Sequence, residues 1–238
     1  ESAAWCWKLL MGQREAERSA ATWEAVKGQP YFTLPLQLNS DYQIRVHSPF
    51  GDMRAALRFV IKSFAEHAPQ GVALLVKRHP LDPGLVGWER LTRKLAAHYG
   101  VGERVHYLSD WDIAQVVQTS LGVVTVNSTV GTLALNGAKP VVVLGHAVYK
   151  VPGIVHHTSL DSFWGAPRQP DMALYSAFRR VLEDRCLIRG GLLSDEGLQM
   201  LVDNAVERLE KDPSEVLPLT RPARRRRRGM DVVHGSAA

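Results

Sequence analysis

Seven polar residues stand just past three apolar runs, and their types suit an anionic ligand. The run "YFTLPLQL" (31–38) leads into Asp41 and Gln43, "GVALLVKRHP" carries Lys77 and His79, and "VVTVNST" ends in Asn127, Ser128 and Thr129. A lysine and a histidine side by side can meet phosphate oxygens, and so can hydroxyls placed where a helix begins. Pro80 restrains the His79 backbone to extended geometry, which fixes the direction of its ring. Each group has a plainer reading when taken alone. His79 suits a surface turn, Ser128 a helix N-cap and "NSDY" an Asx turn.

Those residues must be positioned by the elements between them. Val123–Val126 and Val141–Leu144 read as buried parallel strands, with a helix from Thr129 to Asn136 closed by Gly137 and Pro140. Residues 1–27 read as a helix that ends at Gly28-Gln29-Pro30. Apolar residues recur at helical spacing from Met53 to His67, and "GWERLTRKLAAHYG" is amphipathic. "RVHYLS" reads as a strand and "DWDIAQVVQTS" as a helix with an acidic cap. The order from Pro30 is therefore β-α-β-α-β-α-β-α-β, which predicts an α/β fold with a Rossmann-like parallel sheet. Residues 145–171 read as a loop, followed by closing helices over 172–187 and 195–210. Ligands of such sheets bind beyond the carboxyl ends of the strands. The polar residues gather there, Gln37, Ser109, Asp110, His146 and Tyr149 among them. Asp110 and Asp112 are read as helix caps and Asp82, in "HPLDPG", as a turn residue.

The bulk composition is that of a globular protein: 238 residues, 45% hydrophobic and 22% charged. There is no signal peptide or long apolar span, so neither export nor membrane spanning is expected. The chain begins at Glu1 and its first methionine is Met11, which points to a fragment or a processed chain. Cys6 and Cys186 are far apart and fit inert thiols in a reducing cytoplasm. No metal is expected, because no Asp/His cluster stands out, and no cofactor is expected either. The net charge of +5 comes entirely from residues 221–238, where the six positive charges of Arg221, Arg224, Arg225, Arg226, Arg227 and Arg228 are offset by the single negative charge of Asp231. Such a tail can attract anionic lipid, with nucleic acid supported by charge alone, and its plainer reading is a solvated, disordered end.

Three segments, "LLVKRHPLDPG", "VNSTVGTLALNGAKPVVVLG" and "AVYKVPGIVHHTSLDSFW", resemble the bacterial capsule polysaccharide biosynthesis family in order and spacing. The similarity runs from about residue 31 to residue 200 and includes retaining β-Kdo glycosyltransferases. The His-Pro pair also resembles that of CMP-sugar-using sialyltransferases. The resemblance implies the carboxyl-terminal donor domain of a two-domain GT-B enzyme, with the amino-terminal domain largely missing. Residues 1–30 would be a helical stub of the acceptor-side domain, 31–210 the CMP-Kdo-binding domain and 211–238 a basic disordered tail. It further implies a CMP-Kdo donor and a lipid-linked acceptor of phosphatidylglycerol type, without specific nucleic acid. The place of work would be the cytoplasm, peripheral to the inner membrane.

Retention needs two displacements and hence a carboxylate nucleophile. Asp41 matches the family's Asp-x-Gln segment and takes that role. Lys77 and His79 would meet the CMP phosphate or the Kdo carboxylate, and Ser128 and Thr129 the phosphate, with Gln43 and Asn127 in support. Two rivals stand beside this reading. One is a sialyltransferase-like or epimerase-like nucleotide-sugar enzyme, and the other is a non-catalytic capsule assembly or export factor.

Overall fold

Apolar runs too short for helices pair as parallel strands, buried along their whole length in all but the third, where His106 and Tyr107 are half-buried. They are β1 (Tyr31–Pro35), β2 (Ala73–Lys77), β3 (Val105–Leu108), β4 (Gly122–Thr125) and β5 (Val141–Val143). In the computed structural model, which describes residues 2–210, they form one sheet in the order β3-β2-β1-β4-β5. Every neighbouring pair is parallel, as the alternation of elements predicts. β1 and β2 share five register pairs, Tyr31↔Ala73 through Pro35↔Lys77. β1 and β4 share only Phe32↔Gly122 and Thr33↔Val123. That central seam is the topological switch point: the chain builds outward from β1 through β2 and β3, then returns to its other side for β4 and β5.

The helices are α1 (Ser2–Val26), α2 (Tyr42–Arg45), α3 (Met53–His67), α4 (Trp88–His98), α5 (Ile113–Thr119), α6 (Val130–Asn136), α7 (Leu160–Gly165), α8 (Met172–Arg185) and α9 (Asp195–Glu210). Asp52 and Asp112 cap α3 and α5 by accepting from Arg54 N and Ala114 N. Strand alternation sorts the core into two faces. Phe32, Leu34, Leu74, Val76, Val124 and Val142 pack against α3, α4 and α7. On the opposite face Tyr31, Ala73, Leu75 and Leu108 meet Trp23 and Val26 of α1. There too Val123, Val141 and Val143 meet Ala134 and Leu135 of α6, with Tyr149 and Tyr175.

Two compact units divide at Arg179/Arg180. The first holds the sheet. In the second, α9 is tied to the chain before it by Asn204 Nδ2 donating to Arg189 O and Arg208 Nη1 to Leu187 O. Among the described residues no helix is long and apolar enough to cross a membrane. The arginine tail lies outside the described residues.

Two short helices depart from the expected loops. "YQIR" forms α2, which buries only Ile44 and is started by the Asp41 cap. "LDSFWG" forms α7, with Leu160, Phe163 and Trp164 buried.

Candidate functional site

All seven candidates stand at the carboxyl edge of the sheet. Lys77 is the last residue of β2 and His79 follows it; Asp41 and Gln43 follow β1; Asn127, Ser128 and Thr129 follow β4. Across the switch point the loops after β1 and β4 are locked together by a closed ring of hydrogen bonds. Asn127 N donates to Gln37 Oε1 (2.9 Å), and Gln37 Nε2 donates to Asp41 Oδ2 (3.4 Å). Asp41 Oδ1 accepts from Gln43 N (2.9 Å), and Gln43 O accepts from Asn127 Nδ2 (2.8 Å). The second Asn127 Nδ2 hydrogen goes to His47 O (2.7 Å).

The ring changes what several side chains are free to do. Both amide hydrogens of Asn127 are spent on backbone carbonyls, and its Oδ1 is buried without a partner among the described residues. Asn127 is therefore a staple between loops rather than the ligand contact expected from sequence. Gly145 leaves room for it, since a Cβ there would lie 2.5 Å from Asn127 Oδ1. Asp41 is half-buried and caps α2, so the turn reading of "NSDY" holds as local structure. Capping uses acceptor sites on a carboxylate that has several, so it does not exhaust Asp41. Gln43 contributes its peptide group to the ring, and its side chain is exposed.

Past β4 the chain turns tightly into α6. Ser128 N donates to Thr125 Oγ1, Ser128 Oγ accepts from Val130 N (3.1 Å each), and the hydroxyl hydrogen remains for a ligand. Thr129 is exposed, and its side chain makes no capping bond. Tyr149 pins the turn from beneath by donating its hydroxyl to Ser128 O. Burial pushes the Tyr149 pKa up, while a hydrogen bond with Thr125 works the other way, so its hydroxyl stays a donor.

Lys77 departs from expectation. It is 5% exposed, and its ammonium donates inward to Arg78 O (3.0 Å) and Ser109 O (3.1 Å). Burial lowers its pKa, with the Asp110 carboxylate opposing the shift. Lys77 clamps the ends of β2 and β3 instead of standing on the open edge. His79 stands just past β2 and is half-buried. Its Nδ1 accepts from Leu81 N (3.1 Å), so the neutral ring carries its proton on Nε2, ready to donate. Asp82 holds the same turn in place, accepting from Gly84 N and Trp88 Nε1 (2.8 Å each).

The sequence places Gln37 among the strand-end polar residues but assigns it no role, because its partners could not be read. A second histidine cluster is structural. His156 Nε2 lies 3.0 Å from Ser162 Oγ, but it also faces the Ser159 carbonyl, while Nδ1 faces Arg168 N–H. The proton therefore sits on Nε2, and the ring cannot act as a base toward Ser162. A cavity of about 490 Å³ runs along β3 between α1 and α4, lined by Arg18, Ser19, Thr92 and His106 among others; none of the seven candidates lines it. Among the described residues no group of three or more His, Cys, Asp or Glu converges to hold a metal ion.

A family model described as capsule polysaccharide biosynthesis protein matches residues 1–192. The capsule polysaccharide modification protein LipB of Neisseria meningitidis serogroup A is 40% identical over 172 residues, which are 72% of this chain and 41% of LipB. The capsule polysaccharide export protein KpsS of Escherichia coli is 38% identical over 154 residues, 65% of this chain and 40% of KpsS. This chain thus spans less than half the length of these curated relatives. The solved KpsC of Thermosulfurimonas dismutans, a β-Kdo 2,7 transferase, aligns with a TM-score of 0.39 at 24% identity, over 53% of this chain and 36% of that one.

Proposed function

This chain belongs to the capsule polysaccharide biosynthesis family, and from that premise we propose that it binds a nucleotide sugar and transfers β-Kdo from CMP-Kdo, with retention, to a lipid-linked acceptor. One observation carries the reading: the hydrogen-bond ring holds the Asp41 carboxylate in fixed relation to the Ser128/Thr129 turn, at the crevice where parallel α/β sheets bind ligands. A nucleophile and a phosphate-binding turn are the two parts that the first displacement needs.

In that step an Asp41 oxygen bonds to the anomeric carbon as the carbon–oxygen bond to phosphate breaks. CMP leaves with the electron pair. His79 Nε2–H and the Ser128 and Thr129 hydroxyls face the charge that gathers on the phosphate. In the second step an acceptor hydroxyl attacks the same carbon and displaces the Asp41 carboxylate, while its proton passes to a base. We assign that base to an acceptor-side domain of the whole protein, of which this chain supplies the donor side of a GT-B pair. The acceptor is a glycolipid of phosphatidylglycerol type, met at the cytoplasmic face of the inner membrane.

Calorimetry with CMP, UMP and UDP tests the donor assignment. CMP binds most tightly if the reading is right; tighter binding of UDP overturns it in favour of a different nucleotide-sugar enzyme. Replacing His79 with Ala weakens CMP binding by about 1.5–3 kcal/mol, the value of a hydrogen bond to a charged group. An unchanged affinity returns His79 to a turn residue.

The name of one relative, a capsule polysaccharide export protein, supports a second reading in which the domain binds without catalysing. CMP binding without sugar transfer by the whole protein would favour it.

The arginine tail gives a separate expectation. Deleting residues 221–238 weakens binding to phosphatidylglycerol vesicles at low salt, because each arginine near an anionic surface contributes about 1 kcal/mol. CMP affinity is the control and stays unchanged. Undiminished vesicle binding removes the tail as an anchor.

A further inference from the structure

We propose that Gln37 is a positioning residue for Asp41, orienting its carboxylate and making it move as one body with the turn after β4. The inference rests on the reading of Asp41 as the nucleophile. Gln37 is a polar side chain only 4% exposed, next to the end of an apolar strand. Burial at that place is favourable only if its amide is satisfied. It is satisfied in a directional way. Asn127 N–H is a donor, so the amide oxygen must face it, and this places Nε2 toward Asp41. Which way the Gln37 amide points is thus set by the backbone of the opposite loop.

The consequence falls on Asp41. Gln43 N holds Oδ1 at 2.9 Å, and Gln37 Nε2 approaches Oδ2 at 3.4 Å. Two donors on two oxygens set the rotation of the carboxylate plane. The longer contact is the loosest link of the ring, and catalytic hydrogen bonds are often long before substrate is bound. The ionised carboxylate is the form that attacks in the first displacement and departs in the second. Asn127 Nδ2 closes the ring on Gln43 O, so a shift of the Ser128 turn is passed to Asp41.

Gln37→Glu separates positioning from bulk. Glutamate keeps the shape and the acceptor for Asn127 N–H, but it sets a carboxylate against Asp41. Like charges so close share a proton, and the pair then ionises at higher pH. In the whole protein, with CMP-Kdo and a lipid-linked acceptor, kcat falls tenfold or more at pH 7 while the donor KM stays within about twofold. The loss at pH 7 comes from the Asp41 carboxylate turned out of line by its new neighbour, and the acid limb of the kcat profile also moves to higher pH. An unmoved profile, or a loss carried by KM with kcat intact, overturns the proposal.

If circular dichroism shows that the glutamate variant does not fold, Gln37→Met supplies the test. It removes the donor without adding charge, and it must lower kcat with KM preserved; unchanged kcat overturns the proposal. Asp41→Asn in parallel tells the two readings apart. Full turnover in that variant removes the nucleophile reading itself. Collapse there, with a Gln37→Glu profile like the wild type, removes only the role of Gln37.

Discussion

Replacing Asp41 with Asn leaves the fold and the CMP affinity in place and lowers sugar transfer by roughly three orders of magnitude or more. The two halves of that result come from different bonds. Asn is as good an N-cap as Asp, so α2 keeps its start through the bond now made to Gln43 N. The contact with Gln37, at 3.4 Å, is the one disturbed, and it is a weak one. Chemistry is another matter. A neutral amide is a poor nucleophile toward the anomeric carbon and cannot depart as a stable carboxylate. Intact-protein mass spectrometry of the whole protein after exposure to CMP-Kdo shows a sugar adduct on the wild type and none on the variant. Undiminished turnover would sink the nucleophile assignment, and loss of CMP binding would show that Asp41 serves mainly to hold the loop.

Gly131→Ala produces the largest loss of stability expected from one added methyl group near the site. Gly131 is buried in α6, and a Cβ there would lie 2.5 Å from Tyr149 Cζ, closer still to the phenol oxygen. Tyr149 is 3% exposed and has little room to retreat. Overpacking of this kind costs about 1–3 kcal/mol, and losing the bond from Tyr149 to Ser128 O adds about 1. For a chain of this size that sum lowers the melting temperature by about 5–15 °C. CMP binding weakens as well, because the turn carrying Ser128 is no longer pinned. Thermal melts of Gly131→Ala and of the double variant with Tyr149→Leu check the mechanism. The smaller side chain recovers part of the loss if the clash is its cause. A melt like the wild type would mean that the ring moves aside freely.

The fold was legible because burial and periodicity were strong where it mattered. The valine runs are apolar on both faces, and α3 repeats its apolar residues with the bounds read from sequence, Met53–His67. Short elements escaped. α2 buries a single residue and depends on a cap, a signal that a turn shares. α7 carries a helical pattern in Leu160, Phe163 and Trp164, but over six residues between loop-like segments. That the candidate polar residues gather at strand ends could be read from the sequence. How each polar group spends its bonds could not, since a lysine or asparagine looks the same in sequence whether it faces a ligand or a carbonyl. Lys77 and Asn127 both turned inward, while His79, held by the next turn, stayed outward.

The two-pair seam between β1 and β4 has a consequence for how the protein comes apart. Strands β1, β2 and β3 are laced by ladders of five and four register pairs and β4 is joined to β5 by three, whereas β1 and β4 share two, helped by Leu121 N donating to Tyr31 O and Thr33 Oγ1 to Ser120 Oγ. If partial unfolding divides the sheet where its ladder is shortest, it opens like a book along this spine, and β4 and β5 would then exchange their amide hydrogens together, ahead of β1 and β2. The bond between Gln37 and Asn127, ninety residues apart in the chain, lies just beyond the short ladder and acts as its clasp. A ligand spanning the crevice would bind only the closed book, and its affinity would add to the free energy of keeping it shut.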